Sequence, residues 1–204
     1  MTTIEIIENK TTSLGGIIRN SACEDEIIKI NNNDLFSEIE RRFNAELPSF
    51  YKELYNLYGP FSFNKNVRVK CIEEKKEIED DGGLVRVAYF FSLQPNVNCS
   101  IDRAIRSHPE LLKHQLLPIC NGESGDLICI DLTKDRYENV FYWFHEAFEG
   151  EELTLISKTV KDFWMKLQIR EDDRIDEEAM KNIQVKASPK LLEMLRKSGY
   201  GPKE

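Results

Sequence analysis

The chain opens on TIEIIE, read as a short strand, and LGGII, a second strand after a glycine turn. A polar break at 31–33 follows. Asp34 then caps a helix to Asn44, its carboxylate accepting from the free N–H groups of the first turn. Leu35, Phe36, Ile39 and Phe43 fall on one face of that helix. A second helix has Pro48 in its first turn, where a fixed φ is tolerated. It carries Phe50, Leu54, Leu57 and Tyr58 at helical spacing and stops at Gly59-Pro60.

Strand character comes next. Val67, Val69 and Cys71 alternate with Arg68 and Lys70, the pattern of a sheet with one wet face. The charged turn 73–83 joins this strand to LVRVAYFFSL. Segment 96–114 predicts one short helix, on Ile101, Ala104 and Ile105, plus irregular chain. Three strands follow in LLPIC, DLICIDL and NVFYWFH. Ile128 and Ile130 share one face of the middle strand, and Leu127, Cys129 and Asp131 the other. Residues 153–157 lead into a helix with Val160, Phe163, Trp164 and Leu167 on one stripe. Trp143 and Trp164 belong to the core. From Arg170 the composition turns acidic, REDDRIDEE, a solvated linker or helix start. A last helix has Ser188 as cap and Leu191, Leu192 and Leu195 on one face, with Gly199 as its stop. It docks either on the domain or on a partner, the first being preferred. The sum is an α+β fold with a single, mostly antiparallel central sheet and helices packed against it.

Composition narrows the picture. At 204 residues the chain is long enough for a real core, and one domain with extensions is expected. Lys+Arg number 28 against 36 Asp+Glu, a net charge of -8. Such a surface repels phosphate backbones and attracts basic proteins, so direct nucleic-acid binding is not expected. MTTIEIIENK shows no basic stretch followed by an apolar one, and no apolar run reaches the ~20 residues that span a bilayer. A cytoplasmic protein without membrane contact is expected. Cys23, Cys71, Cys99, Cys120 and Cys129 form no CxxC pair, and their odd number without an export signal argues against a disulfide framework. Cys120 and Cys129, in PIC and LICI, read as core filler.

The candidate chemistry is acidic. Glu123, Asp126, Asp131, Glu146 and Glu149 are placed near strand ends, where paired carboxylates can bind a divalent cation or do acid/base work. None of the confirming motifs is present: no HExxH, GxSxG or GxxxxGK[ST]. GESGD lacks the frame and the histidine of a nucleophilic serine. No catalytic, metal-binding or cofactor-binding residue is therefore assigned. His108, His114 and His145 have no ligand spacing, and His145 reads as a hydrogen-bonded, half-buried side chain. In the turn before DLICIDL, Gly122 and Gly125 are expected to supply positive φ. Asp126 is expected to accept backbone N–H bonds of that turn.

LPSFYKELYNLYG, LLPICNGESGDLICIDL, NVFYWFHE and VKDFWMKL, in this order, resemble the SUKH superfamily. That superfamily includes fungal cell-wall regulators of the Smi/Knr type and bacterial toxin-immunity proteins. The resemblance covers 34–169. It leaves 1–33 as an N-terminal extension packed on the domain and 170–204 as an acidic linker with its helix. The family pattern is richer in glycine just before the Gly-Asp pair, where this chain has Glu123 and Ser124, and it places a matching Asp at 126. It implies a non-catalytic protein-binding module, an immunity protein that occludes a basic toxin domain such as a nuclease. The expected contact residues are Glu123, Asp126, Glu146 and Glu149, with Tyr142 and Phe144 as apolar anchors. Two alternatives stay open. One is a regulatory hub like the fungal relatives, working through the C-terminal tail; the other is a carboxylate-based, metal-dependent hydrolase.

Overall fold

The computed structural model describes residues 1–19, 31–73, 82–148 and 150–170. Cys23, Glu149, most of the charged turn 73–83, the acidic tract and the Ser188 helix lie outside the described residues.

The first element corrects the sequence reading. TIEIIE lies in a helix, α1 (Thr3–Ser13), and not in a strand. Thr2 and Glu5 close a capping box, each side chain taking the other's backbone N–H. Ile7, Thr11 and Leu14 are buried at helical spacing. LGGII then gives strand β1 (Ile17–Arg19). The next helix, α2 (Asn32–Phe43), is capped by Asn31, whose side chain accepts from Asn33, and not by Asp34. Its buried face is Leu35, Phe36, Ile39 and Phe43, as the spacing requires. Helix α3 (Ser49–Tyr58) starts after Pro48 and ends at Gly59, whose φ of 63° only glycine adopts freely.

Short strands β2 (Phe61–Phe63), β3 (Val67–Lys70), β4 (Leu84–Arg86) and β5 (Tyr89–Phe90) follow. The segment after them holds two helices, α4 (Ile101–Ser107) and α5 (Glu110–Lys113), where the sequence predicts one. Strands β6 (Leu116–Asn121), β7 (Leu127–Asp131), β8 (Val140–Trp143) and β9 (Leu153–Ser157) form consecutive antiparallel hairpins. Helix α6 (Val160–Lys166) and β10 (Gln168–Ile169) complete the described elements.

Seven strands form one sheet in the order β1-β2-β5-β6-β7-β8-β9, and a smaller sheet is ordered β10-β3-β4. All these strand pairs are antiparallel. Every residue of β7 and β8 is buried, so the sheet's centre is covered on both faces. Helices α1, α3 and α6 pack on one another, and α4 and α5 pack on β6. Aromatic rings lock α6 to the sheet. Phe61 stacks on Phe90 with centroids 4.4 Å apart, and Trp164 meets both at 6.2 Å. Such pairs add about 0.5–1.5 kcal/mol each beyond their burial.

Strand β3 departs from its wet-face reading. Lys70 is exposed, but Arg68 is buried. The reason is non-local: its guanidinium lies 3.0 Å from the Glu123 carboxylate in the β6–β7 turn. The smaller sheet is thereby joined to the turn that carries the sequence signature.

Candidate functional site

The β6–β7 turn is built by its own backbone. The Asp126 N–H donates to the Glu123 carbonyl at 2.8 Å, and the Gly122 N–H to the Asp126 carbonyl at 2.7 Å. Between them Ser124 (φ 53°) and Gly125 (φ 101°) both have positive φ, as a type I′ hairpin turn requires. Gly122 does not. Its place is fixed by crowding, because a Cβ there would lie 2.7 Å from the Tyr142 hydroxyl oxygen. The expectation of positive φ thus holds at Gly125 and fails at Gly122, where Ser124 takes the left-handed position instead.

Asp126 does not cap its own turn through its carboxylate. Its Oδ2 accepts the Tyr142 hydroxyl at 3.1 Å, and its Oδ1 accepts the His145 backbone N–H at 3.1 Å. The same Oδ1 faces His145 Nδ1 at 2.8 Å. The Tyr142 oxygen also accepts the Glu123 N–H at 3.2 Å. One carboxylate therefore ties the turn to the end of β8. Burial, reinforced by the Asp126 carboxylate, pushes the Tyr142 phenol well above its usual range.

His145 is hydrogen-bonded and half-buried, and its ring lies over Gly125. The short contact to the Asp126 carboxylate is the one expected of a proton-bearing Nδ1. Nε2 faces Glu146 at 3.6 Å. An aspartate–histidine pair can activate a side-chain hydroxyl or thiol that is bonded to the histidine. Among the described residues no serine, threonine or cysteine is.

Among the described candidate carboxylates, Asp131 stands apart. Asp131 sits at the far end of β7 from Asp126, about 17 Å away at ~3.4 Å per residue. Fully buried, it accepts from Thr133 and pairs with Arg136 at 2.9 Å, holding the β7–β8 connection. Among the described residues no group of three or more His, Cys, Asp or Glu is placed to hold a metal ion.

The five described residues proposed for partner contact differ in their surroundings. Glu123 is paired with Arg68, and Asp126 is spent on Tyr142 and His145. Tyr142 is 3% exposed, because the sheet is covered on both faces at β8. Its ring is a core element and no surface anchor. Phe144 is half-buried, 4.8 Å from Tyr142. Glu146 is open, its side chain 87% exposed. The β8–β9 connection beyond it shows a residue that sequence reasoning missed: Phe148, 83% exposed. Backbone bonds from Phe144 N–H to Glu152 and from Glu151 N–H to Phe148 shape this loop. Glu146 and Glu151 flank Phe148 and are both exposed. The available signal was an aromatic among acids just past a strand end.

Two comparisons with known proteins bear on this architecture. The family model described as SMI1 / KNR4 family (SUKH-1) matches residues 30–166. The SPbeta prophage-derived uncharacterized protein YokK of Bacillus subtilis (strain 168) is 24% identical over 144 residues. That alignment covers 66% of this chain and 73% of the relative.

Proposed function

The chain belongs to the SMI1/KNR4 family (SUKH-1), and from that premise we propose that it is a non-catalytic immunity protein that occludes a basic toxin domain. The observation that carries this reading is Phe148, an almost fully exposed aromatic in the β8–β9 loop with Glu146 and Glu151 beside it. An aromatic that inserts into a partner's pocket supplies affinity, while a surrounding acidic rim supplies orientation and fast encounter with a basic surface. The net charge of -8 favours the same partner at long range. Glu149 belongs to this loop by sequence, and Glu146 by exposure. The prophage origin of the relative is in keeping with a protective gene carried on a mobile element.

The test is capture from the native host at low salt, with wild type and Phe148→Ala in parallel. A single basic partner establishes the reading if salt releases it, the variant loses it, and this chain suppresses its toxicity. Several unrelated partners retained by Phe148→Ala point instead to a regulatory hub. A captured partner that is harmless when expressed alone removes the immunity role.

A further inference from the structure

Two imidazoles meet at the root of the β8–β9 loop. His145 follows β8 and His108 ends α4, and their ring centroids lie 6.4 Å apart. Both side chains are half-buried. His108 stands edge to face on Trp143 at 4.6 Å, which holds its ring against β8. Each imidazole has a carboxylate at Nδ1: Asp126 at 2.8 Å from His145, and Glu110 of α5 at 3.6 Å from His108. Nε2 of His145 faces a third carboxylate, Glu146, at 3.6 Å. Among the described residues these three are the carboxylates within ion-pair distance of the two rings. Arg103 lines the same cavity as His108.

This arrangement makes the His145–Glu146 contact depend on a proton. With its proton on Nδ1, toward Asp126, the neutral ring presents a bare lone pair at Nε2 to the Glu146 carboxylate, and two acceptors make no bond. Histidine becomes cationic between about pH 5 and 8. The cationic ring donates at both nitrogens, so the facing groups become donor and acceptor of opposite charge. Asp126 Oδ1 holds the ring and the backbone N–H of His145 together. The ring therefore stays in place, and Glu146, with its side chain 87% exposed, is the group free to move. A charge on His108 would oppose one on His145, and Glu110 offsets it.

We propose that His145 is a proton switch for the acidic rim: its protonation draws the Glu146 carboxylate onto Nε2 and takes that negative charge out of the surface around Phe148. What the switch regulates rests on the partner-binding reading of this loop, but the switch itself operates in the free chain.

The experiment is a series from about pH 8 to about pH 5 on the isotopically labelled full chain, with the His145 ring nitrogens and the Glu146 and Phe148 amides followed by NMR. The expected result is a single protonation step at His145 Nε2, with the Glu146 and Phe148 amide shifts moving in step with it. Glu146→Gln, a change at an exposed position, should keep the ring step and remove at least about half of the step at Phe148. His145→Gln should abolish the step at Phe148, while His108→Gln should retain it. No protonation of Nε2 across the series overturns the proposal. So does a Phe148 step undiminished in Glu146→Gln. None of these readouts needs a partner, so failure of the switch and failure of the partner-binding reading are told apart.

Discussion

Asp126 Oδ1 meets His145 twice, at the backbone N–H (3.1 Å) and at ring Nδ1 (2.8 Å). A single carboxylate oxygen thereby sets both the path of the chain leaving β8 and the turn of the imidazole. The other oxygen takes the Tyr142 hydroxyl, which in turn accepts the Glu123 N–H. Glu123 reaches Arg68 on the smaller sheet. The exposed Phe148 lies three residues beyond His145, so the loop that presents it is rooted in this network.

Asp126→Ala should therefore cost more than an exposed aspartate would. The Tyr142 hydroxyl and the His145 N–H both lose their acceptor in a part-buried setting. Each such loss is worth about 1–3 kcal/mol where water cannot replace it. Asp126→Asn keeps an acceptor and should lose clearly less. Urea unfolding checks this: the midpoint should fall in the order wild type, Asn, Ala, with an unchanged slope.

Gly122→Ala tests the crowding reading of the signature turn. Its backbone is not left-handed, so any loss comes from the Cβ meeting Tyr142 Oη at 2.7 Å and Cε2 at 2.8 Å. Overpacking of this kind costs about 1–3 kcal/mol. Tyr142→Phe removes the nearest atom and should recover part of the loss in the double variant. Strict additivity in that double-mutant cycle would contradict direct contact.

The sequence showed the parts of the fold that depend on local periodicity. The faces of α2 and the hairpins β6–β7–β8 are examples, because neighbouring residues alone decide which side is buried. It misled where a distant partner or a cap decided the outcome. TIEIIE looks extended until Thr2 and Glu5 close a capping box and α1, with Ile7 buried, packs on α3 and α6. Arg68 reads as solvent-facing because Glu123 lies 55 positions away. Tyr142 reads as an anchor because a strand with aromatics on both faces does not reveal whether both are covered. Asp126 reads as a residue whose carboxylate accepts from its own turn, but its hydrogen bonds run across the sheet to Tyr142 and His145.

Alkaline pH should destabilise the protein through its buried thiols. Burial pushes Cys120 and Cys129 well above their usual 9.0. Below that value both states hold the proton and stability is flat. Above it the unfolded thiols ionise while the folded ones do not, so folding loses up to about 1.4 kcal/mol per thiol per pH unit. Buried Tyr142 and Tyr51, also raised, add to the loss above their usual 10.0. Urea midpoints should hold steady up to about pH 9 and fall beyond it. Cys129→Ala should flatten that fall even though its starting stability is lower.

Phe148 and Glu146 should divide the binding of a basic partner between them. Phe148 is 83% exposed, so its removal costs the free protein almost nothing, and Phe148→Ala should leave the urea midpoint within about 0.5 kcal/mol. A buried aromatic anchor acts chiefly on dissociation, and its loss should raise the off-rate at least about tenfold, some 1–2 kcal/mol or more. Glu146, with its side chain 87% exposed, acts through the field around the loop. Glu146→Lys should slow association, and the difference from wild type should shrink as salt shortens the Debye length from about 10 Å at 0.1 M to about 3 Å at 1 M. Surface plasmon resonance across that salt series separates the two rates. An off-rate unchanged in Phe148→Ala would place the contact elsewhere on the molecule. An association rate indifferent to both salt and Glu146 would leave the acidic rim without a part in recognition.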